Sequence, residues 1–323
     1  MDSKVRVALH NSQNANIISA NAEFYANGTT ASLQNPQPTA GGFVKVHANA
    51  KINLFLDVLG KRADGYHNIF TVMQSINLYD DLIIRKINNN DSSDEPFTLK
   101  INKSSNYSLP TDETNLVTKA AKFLIKEYKI KHPIHIELTK RIPMGAGLGG
   151  GSSDCAATLR GINELFSLNI PLNELLEIGR TFGADVPFCI MGGTALAEGI
   201  GERLTPIQSP ISYPIVLIYP NIHVSTKNAY ALLSDYTPLP DSKRDEFITA
   251  CKTCNIATLS GKLYNAFTAP LSIYHPQIAN FIDILYSNGA LGASMSGSGS
   301  AIFGIFKNKI LAQRVCDILG ELT

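Results

Sequence analysis

Five glycines fall within seven residues, 145 to 151, of the stretch IHIELTKRIPMGAGLGGGSSDCAATLRGIN, residues 134 to 163. Ahead of them, Ile134, Ile136 and Leu138 alternate with polar residues, the period of a half-buried strand. Behind them, Cys155, Leu159, Ile162 and Phe166 lie at i, i+4, i+7 and i+11, the apolar stripe of an amphipathic helix. A strand, a glycine loop and a helix in that order leave the unpaired N–H groups of a helix start facing outward. Glycine adds positive φ and removes the Cβ that would keep a phosphate away from the backbone. A simple turn needs far fewer glycines. The stretch Pro143, Met144, Gly145, Ala146, Gly147, Leu148, Gly149, Gly150, Gly151, Ser152 and Ser153 therefore reads as a phosphate cradle. Its two serines can cap the helix, donate to phosphate oxygens or ligate magnesium.

Two common phosphate motifs do not account for it. No lysine follows Gly151, so the loop is not GxxxxGK[ST]. The run from Gly145 to Gly150 matches GxGxxG, but four β segments and a helix precede it, where a dinucleotide fold places the motif early. The positive charge that phosphates require must come from elsewhere in the chain or from a bound cation.

The rest of the sequence predicts an α+β protein of two domains. FVKVHA (43 to 48), INLFLDVL (52 to 59), IFTVMQSINL (69 to 78) and LIIRKI (82 to 87) carry a β pattern. A helix is expected after the stretch 112 to 115, capped by Thr114 or Asn115, with Val117, Ala120, Ala121, Leu124 and Tyr128 on one face. Another is expected over 172 to 182. From about residue 197 the pattern restarts, with YPIVLIYP (213 to 220) as a buried strand, a glycine-rich turn between two strands over 292 to 306, and a terminal helix near 310 to 319. The predicted domains are 43 to 196 and 197 to 323. Residues 1 to 42 hold only four charges among many Asn, Ser, Thr and Ala, and read as a poorly ordered extension with no apolar core of a secretory signal.

A net charge of +1 argues against nucleic-acid or anionic-membrane partners, and no apolar run is long enough to span a bilayer. Five dispersed cysteines suggest a reducing compartment, the cytoplasm. The pairs Cys251/Cys254 and His132/His135 stand alone, so no metal site is expected from them.

Three separated segments resemble the GHMP kinases: AKINLFLDVLGKRADGYH (50 to 67), PMGAGLGGGSSDCAA (143 to 157) and GASMSGSGSAIFGIF (292 to 306). The resemblance covers roughly residues 43 to 320. It implies a ribosomal protein S5 domain 2-like N-terminal domain followed by a ferredoxin-like C-terminal domain. It also implies an ATP-dependent, magnesium-requiring small-molecule kinase, a monomer or weak homodimer. The GGGSSD ending is similar to members that phosphorylate the 2-hydroxyl of 4-(cytidine 5'-diphospho)-2-C-methyl-D-erythritol, rather than to the mevalonate- or homoserine-type members with GLGSSAA.

From the residues alone, Asp185 in GADVPF is a helix cap, an ion-paired acid or a proton acceptor, and Lys51 in AKIN is an exposed strand lysine or a site cation. The resemblance implies that these two act together, as an ion pair beside the acceptor hydroxyl. Asn53 shares a strand face with Lys51 and can bond substrate or Asp185. The resemblance further implies cytosine contacts from Tyr66 and His67, a second aromatic wall from Tyr230, and support of the substrate phosphates by Ser296 and Gly297.

Overall fold

The structure, a computed structural model, describes residues 16–22, 36–38, 42–87, 95–102, 109–209, 213–233, 236–253 and 255–320. Its strands are β1 (Asn16–Ala22), β2 (Gln37–Pro38), β3 (Phe43–Lys61), β4 (His67–Lys86), β5 (Phe97–Asn102), β6 (Ile134–Thr139), β7 (Thr194–Gly199), β8 (Arg203–Pro206), β9 (Tyr213–Tyr219), β10 (Tyr264–Asn265), β11 (Gly292–Met295) and β12 (Ile302–Ile305). Its helices are α1 (Leu116–Glu127), α2 (Gly150–Leu165), α3 (Leu172–Arg180), α4 (Val186–Met191), α5 (Thr226–Ala231), α6 (Asp241–Lys252), α7 (Ile256–Ser260), α8 (Thr268–Tyr274), α9 (Pro276–Ser287) and α10 (Lys309–Gly320).

Four β segments of the sequence merge into two long strands. Bulges, not turns, interrupt β3 against β4, with register shifts at Asn49/Lys51, Asn53/Phe55 and Val58/Gly60. A bulge bends a strand and releases ladder groups without ending it. This bending lets β4 pair with β6 through residues 81–86 and with β7 through residues 69–74. The resulting eight-stranded sheet runs β10-β3-β4-β6-β5, with β2 on β3 and β7–β8 branching from β4. One of its faces packs under α1, α2 and α4 through Leu82, Ile84, Val117, Leu124, Leu159 and Phe188, all essentially inaccessible.

The second sheet has the order β1-β9-β12-β11 and is antiparallel throughout. It meets the first across Ile52, Leu54, Phe55, Ile215, Leu217, Phe303 and Ile305. A buried polar strut reinforces this junction. Asp57 of β3 accepts from the Arg244 guanidinium of α6 at 2.8 Å, from the Tyr236 hydroxyl at 2.5 Å and from the Leu239 N–H at 3.1 Å.

Two features differ from the sequence reading. Strands β7 and β8 belong to the large sheet, so a boundary at 196/197 cuts through β7, and after β1 the chain returns to the second sheet only at β9. Within the stretch read as a loose extension, Asn16–Ala22 pairs residue for residue with Tyr219 back to Tyr213. Backbone pairing to an open sheet edge needs no apolar pattern, which is why the Asn- and Ala-rich sequence did not signal it. The remainder of that extension, apart from Pro36–Pro38 and Gly42, lies outside the described residues.

Candidate active site

The bulges of β3 place the site. Where the register slips between Asn49 and Lys51, the Lys51 N–H leaves the ladder and donates to the Leu148 carbonyl of the glycine loop at 3.0 Å. Gly145, Gly147 and Gly149 all have positive φ, as the sequence predicted for such a loop, and Gly149 sits at the cap position of α2. A Cβ at Gly149 would lie 3.1 Å from Lys51 Cγ and 3.3 Å from Cε, so the missing side chain is what lets the lysine stem run beneath the helix start. Fit is tighter at Gly147, where a Cβ would fall 2.1 Å from the Ser296 carbonyl oxygen.

Lys51 is 4% exposed, and its ammonium is held from two sides. Asp185 Oδ2 lies 3.4 Å away and Asn53 Oδ1 accepts at 2.8 Å. The orientation of the Asn53 amide follows from its neighbours. Thr71 spends its hydroxyl proton on the Phe55 carbonyl, at 2.7 Å, and so accepts from Asn53 Nδ2 at 2.8 Å, which turns Oδ1 toward Lys51. Asn53 therefore orients Lys51 and does not bond Asp185. Asp185 stands at the cap position of α4 without making a capping bond. Its carboxylate instead faces Lys51 and a cavity of about 1400 Å³.

That cavity is lined at one part by Gly145, Gly147, Gly149 and Ser152 and at another by Tyr66, His67 and Tyr230, with Lys51 and Asp185 also on its wall. His67 and Tyr230 stack on each other, centroids 4.6 Å apart and planes 19° off parallel, while Tyr230 rests edge-on against Phe267. A third ring does not fit between rings so close, so they form one platform, with Tyr66 exposed beside it. Burial first, then the Lys61 charge, keeps the His67 imidazole below its ordinary pKa. Burial, with Asp185 adding to it, pushes the Tyr230 phenol up to about 12.

Not every residue of the cradle faces the cavity. Ser153 is buried and donates its hydroxyl to the Asn49 carbonyl at 2.6 Å, and its N–H to Gly149 at 2.8 Å. It ties α2 to β3, leaving Ser152 as the cavity serine. The carbonyls of Met144 and Ala146 accept from the Tyr219 hydroxyl and the Ala301 N–H, and Leu148 is buried. Pro143 and Gly150 to Gly151 lie off the cavity wall. Ser296 is fully buried too: its hydroxyl donates to the Gly147 carbonyl at 2.9 Å and accepts from the Asn53 N–H at 3.3 Å. It latches the third segment onto the loop, while Gly297 reaches the cavity.

Several site residues have no motif to mark them. Asn265 donates to the carbonyls of Met295 and Gly297 and so shapes the third segment. His223 approaches Gly145, and Thr226 meets Ser298 at 3.1 Å, hydroxyl to hydroxyl, across the cavity mouth. Only the β9–α5 connection, read as a loop beside a strand end, could have hinted at them. The His132/His135 pair is not a ligand set: His135 bonds Thr98 across β5 and β6. Cys251 is buried, and Cys254 lies outside the described residues.

Residues 115–193 match the GHMP kinases N terminal domain, and residues 251–322 match the GHMP kinases C terminal domain. A 4-diphosphocytidyl-2-C-methyl-D-erythritol kinase of Caldicellulosiruptor saccharolyticus is 43% identical over 272 residues, covering 84% of this chain and 91% of that protein. The chain belongs to the 4-diphosphocytidyl-2-C-methyl-D-erythritol kinase family of GHMP kinases. A second member of this kinase family, from Clostridioides difficile, is 41% identical over 83% of this chain and 88% of its own. A crystal structure of 4-(cytidine 5'-diphospho)-2C-methyl-D-erythritol kinase superimposes with a TM-score of 0.73 at 31% identity, covering 86% of this chain and 96% of that one. The homoserine kinase of Cytophaga hutchinsonii, 21% identical with a TM-score of 0.65 over 88% and 92% of the two chains, shares the fold.

Proposed function

We propose that this kinase transfers the γ-phosphoryl group of ATP to the 2-hydroxyl of 4-(cytidine 5'-diphospho)-2-C-methyl-D-erythritol, a step of the non-mevalonate route to isoprenoid precursors. The observation that carries the reading is a single cavity. It joins a glycine cradle suited to phosphates and an aromatic platform suited to a base, with the Lys51–Asp185 pair on the same wall.

Phosphoryl transfer asks the protein for positioning and charge, with little covalent work. Backbone N–H groups of the loop and of the first turn of α2 bind the nucleotide phosphates. Asp185 accepts the proton of the acceptor hydroxyl as its oxygen bonds to the γ-phosphorus. The bond from that phosphorus to the bridging oxygen breaks, and ADP leaves with the electron pair. Lys51 pairs with Asp185 at 3.4 Å and stabilises charge on the entering oxygen. Asn53 and Thr71 hold Lys51 in that place. His67 and Tyr230 offer the base a stacking face, worth roughly 1 to 3 kcal/mol.

Magnesium fits as an ion carried by the nucleotide. Among the described residues no three His, Cys, Asp or Glu side chains converge to cage a metal. Ser152 lies on the cavity wall, where its hydroxyl would complete the coordination of an ion held chiefly by phosphates, and the ion would neutralise phosphate charge there. Burial pushes the Cys251 thiol up to about 12 and raises Cys155 and Cys189 as well, so these thiols stay protonated and unreactive. No described helix is long and apolar enough to cross a membrane.

The test is ATP consumption by the purified protein with this cytidyl alcohol, mevalonate or homoserine supplied singly. Turnover is expected with the first alone. Turnover with mevalonate or homoserine but not with the cytidyl alcohol sinks the assignment.

A further inference from the structure

Beneath the glycine loop lies a group of buried charges that the phosphoryl-transfer reading does not use. Lys140 follows β6 directly and is 6% exposed; Asp80 of β4 is fully buried and Asp154 of α2 is 4% exposed. The Lys140 ammonium donates to Asp154 Oδ2 at 2.7 Å and to Asp80 Oδ2. Asp80 Oδ1 also accepts the N–H groups of Arg141 and of Ile142, the latter at 2.9 Å. Pro143 comes next. One end of the loop is thus bound through backbone to Asp80, and the other, through the first turns of α2, to the same lysine. A Cβ at Gly150 would lie 3.4 Å from Lys140 Nζ, so the ammonium is packed directly under the first residue of α2.

We propose that Lys140, Asp80 and Asp154 are positioning residues for the nucleotide: a buried anchor that sets the span between the two ends of the glycine loop, in which Asp154 is a protonated, neutral carboxyl. The proposal rests on the reading of the loop as a phosphate cradle.

The division of roles follows from the hydrogen bonds. One ammonium facing two carboxylates would leave a net charge buried, which is costly, and a single proton removes it. Asp80 accepts three N–H donors, so both of its oxygens are hydrogen-bonded. Asp154 accepts one, and its Oδ1, buried as well, has no hydrogen-bond partner among the described residues. An ionised oxygen in that position would go without compensation. Burial raises the Asp154 pKa well above its ordinary value; Lys140 opposes this and Asp80, a hydrogen-bonding neighbour, adds to it. The Cys155 and Cys189 thiols nearby stay neutral, since burial raises both. Lys140 stays charged: burial works against the ammonium, but the pairing with Asp80 and the hydrogen bonds to both carboxyls outweigh it.

The two aspartates should therefore respond oppositely to the same change. In the full chain, Asp154→Asn replaces a neutral acid with a neutral amide whose oxygen still accepts from Lys140, so its loss of ADP affinity, measured by calorimetry, is expected to be at least about threefold smaller than that of Asp80→Asn. Asp80→Asn and Lys140→Met release the loop ends and are expected to weaken ADP binding and raise the KM for ATP about tenfold or more, with the KM for the acceptor alcohol unchanged. Lys140→Arg should recover part of that loss. A merely structural cluster would lower stability without separating the two KM values. Infrared difference spectra of wild type against Asp154→Asn at neutral pH should show a protonated-carboxyl band that the variant lacks, a readout that stands even where Asp80→Asn or Lys140→Met fails to fold. Equal loss of ADP binding in Asp154→Asn and Asp80→Asn, absence of that band, or wild-type ADP affinity in Lys140→Met overturns the anchor. Failure of the wild type itself to bind ADP would instead refute the phosphate cradle, with the infrared band still reporting on Asp154.

Discussion

Gly147 and Ser296 are in backbone contact: a Cβ on Gly147 would sit 2.1 Å from the Ser296 carbonyl oxygen, and the Ser296 hydroxyl donates to the Gly147 carbonyl at 2.9 Å. The second and third of the segments that resemble the GHMP kinases are thereby fused into one wall. Gly147→Ala forces the two backbones apart at a position with φ of +78°. It is expected to destabilise the fold by about 1–3 kcal/mol and to weaken nucleotide binding. Thermal melting with and without ADP checks both; an unchanged melting temperature would contradict the contact.

Asp185 faces the cavity and makes no capping bond, so replacing it alters chemistry more than fold. Asp185→Asn should lower turnover about 100-fold or more, with ATP affinity close to wild type. Steady-state kinetics beside a direct nucleotide titration separates the two. Full turnover in this variant removes Asp185 from the mechanism.

The Asn53 amide is oriented by Thr71, a 1% exposed residue on the neighbouring strand β4. Thr71→Val keeps the shape but leaves the Asn53 Nδ2 donor and the Phe55 carbonyl unmatched, at a cost of about 1–3 kcal/mol. Turnover should fall together with stability, because Lys51 loses the fixed acceptor that holds its ammonium. A stability loss with unchanged kcat would confine Thr71 to packing.

What could be read from the sequence was local. The glycine loop, the helix behind it and the alternation in β6 are short-range patterns, and Gly145, Gly147 and Gly149 do take positive φ. Lys51 and Asp185 were singled out through the family resemblance and stand 3.4 Å apart. The partners of these residues were not legible. Ser153 and Ser296 looked like cavity serines, yet both hydroxyls are consumed by carbonyls far away in sequence, those of Asn49 on β3 and Gly147 in the glycine loop. The continuity of β3 and β4 was hidden because a bulge leaves no turn residue behind, only a break in alternation. Strand β8, four residues after a glycine turn, carries too short a pattern to register.

Strand β1 covers the edge of β9 along seven paired positions. Removing residues 1–22 would leave that row of backbone groups open, a template for pairing with another chain. The truncated protein should melt a few degrees lower and associate at high concentration. Sedimentation velocity and thermal melting would measure this; a truncation that melts and sediments as the intact chain does would show that β9 needs no cover.

His67 stacks on Tyr230, and burial, with the Lys61 charge adding to it, holds the His67 pKa below 6.5. The sign of the pH effect follows by linkage. A base with a depressed folded pKa takes up a proton less readily folded than unfolded. Its contribution is complete above the unfolded value of 6.5 and is lost as pH falls through the folded pKa. His47, whose pKa burial also lowers, titrates in the same direction and must be separated from it. His67→Phe keeps a ring against Tyr230 and removes only the titration. Urea unfolding from pH 7.5 down to about pH 5 should therefore show a steeper loss of stability in the wild type than in His67→Phe, with the His47 contribution common to both. Parallel curves would mean that the imidazole titrates on the platform as it does in water.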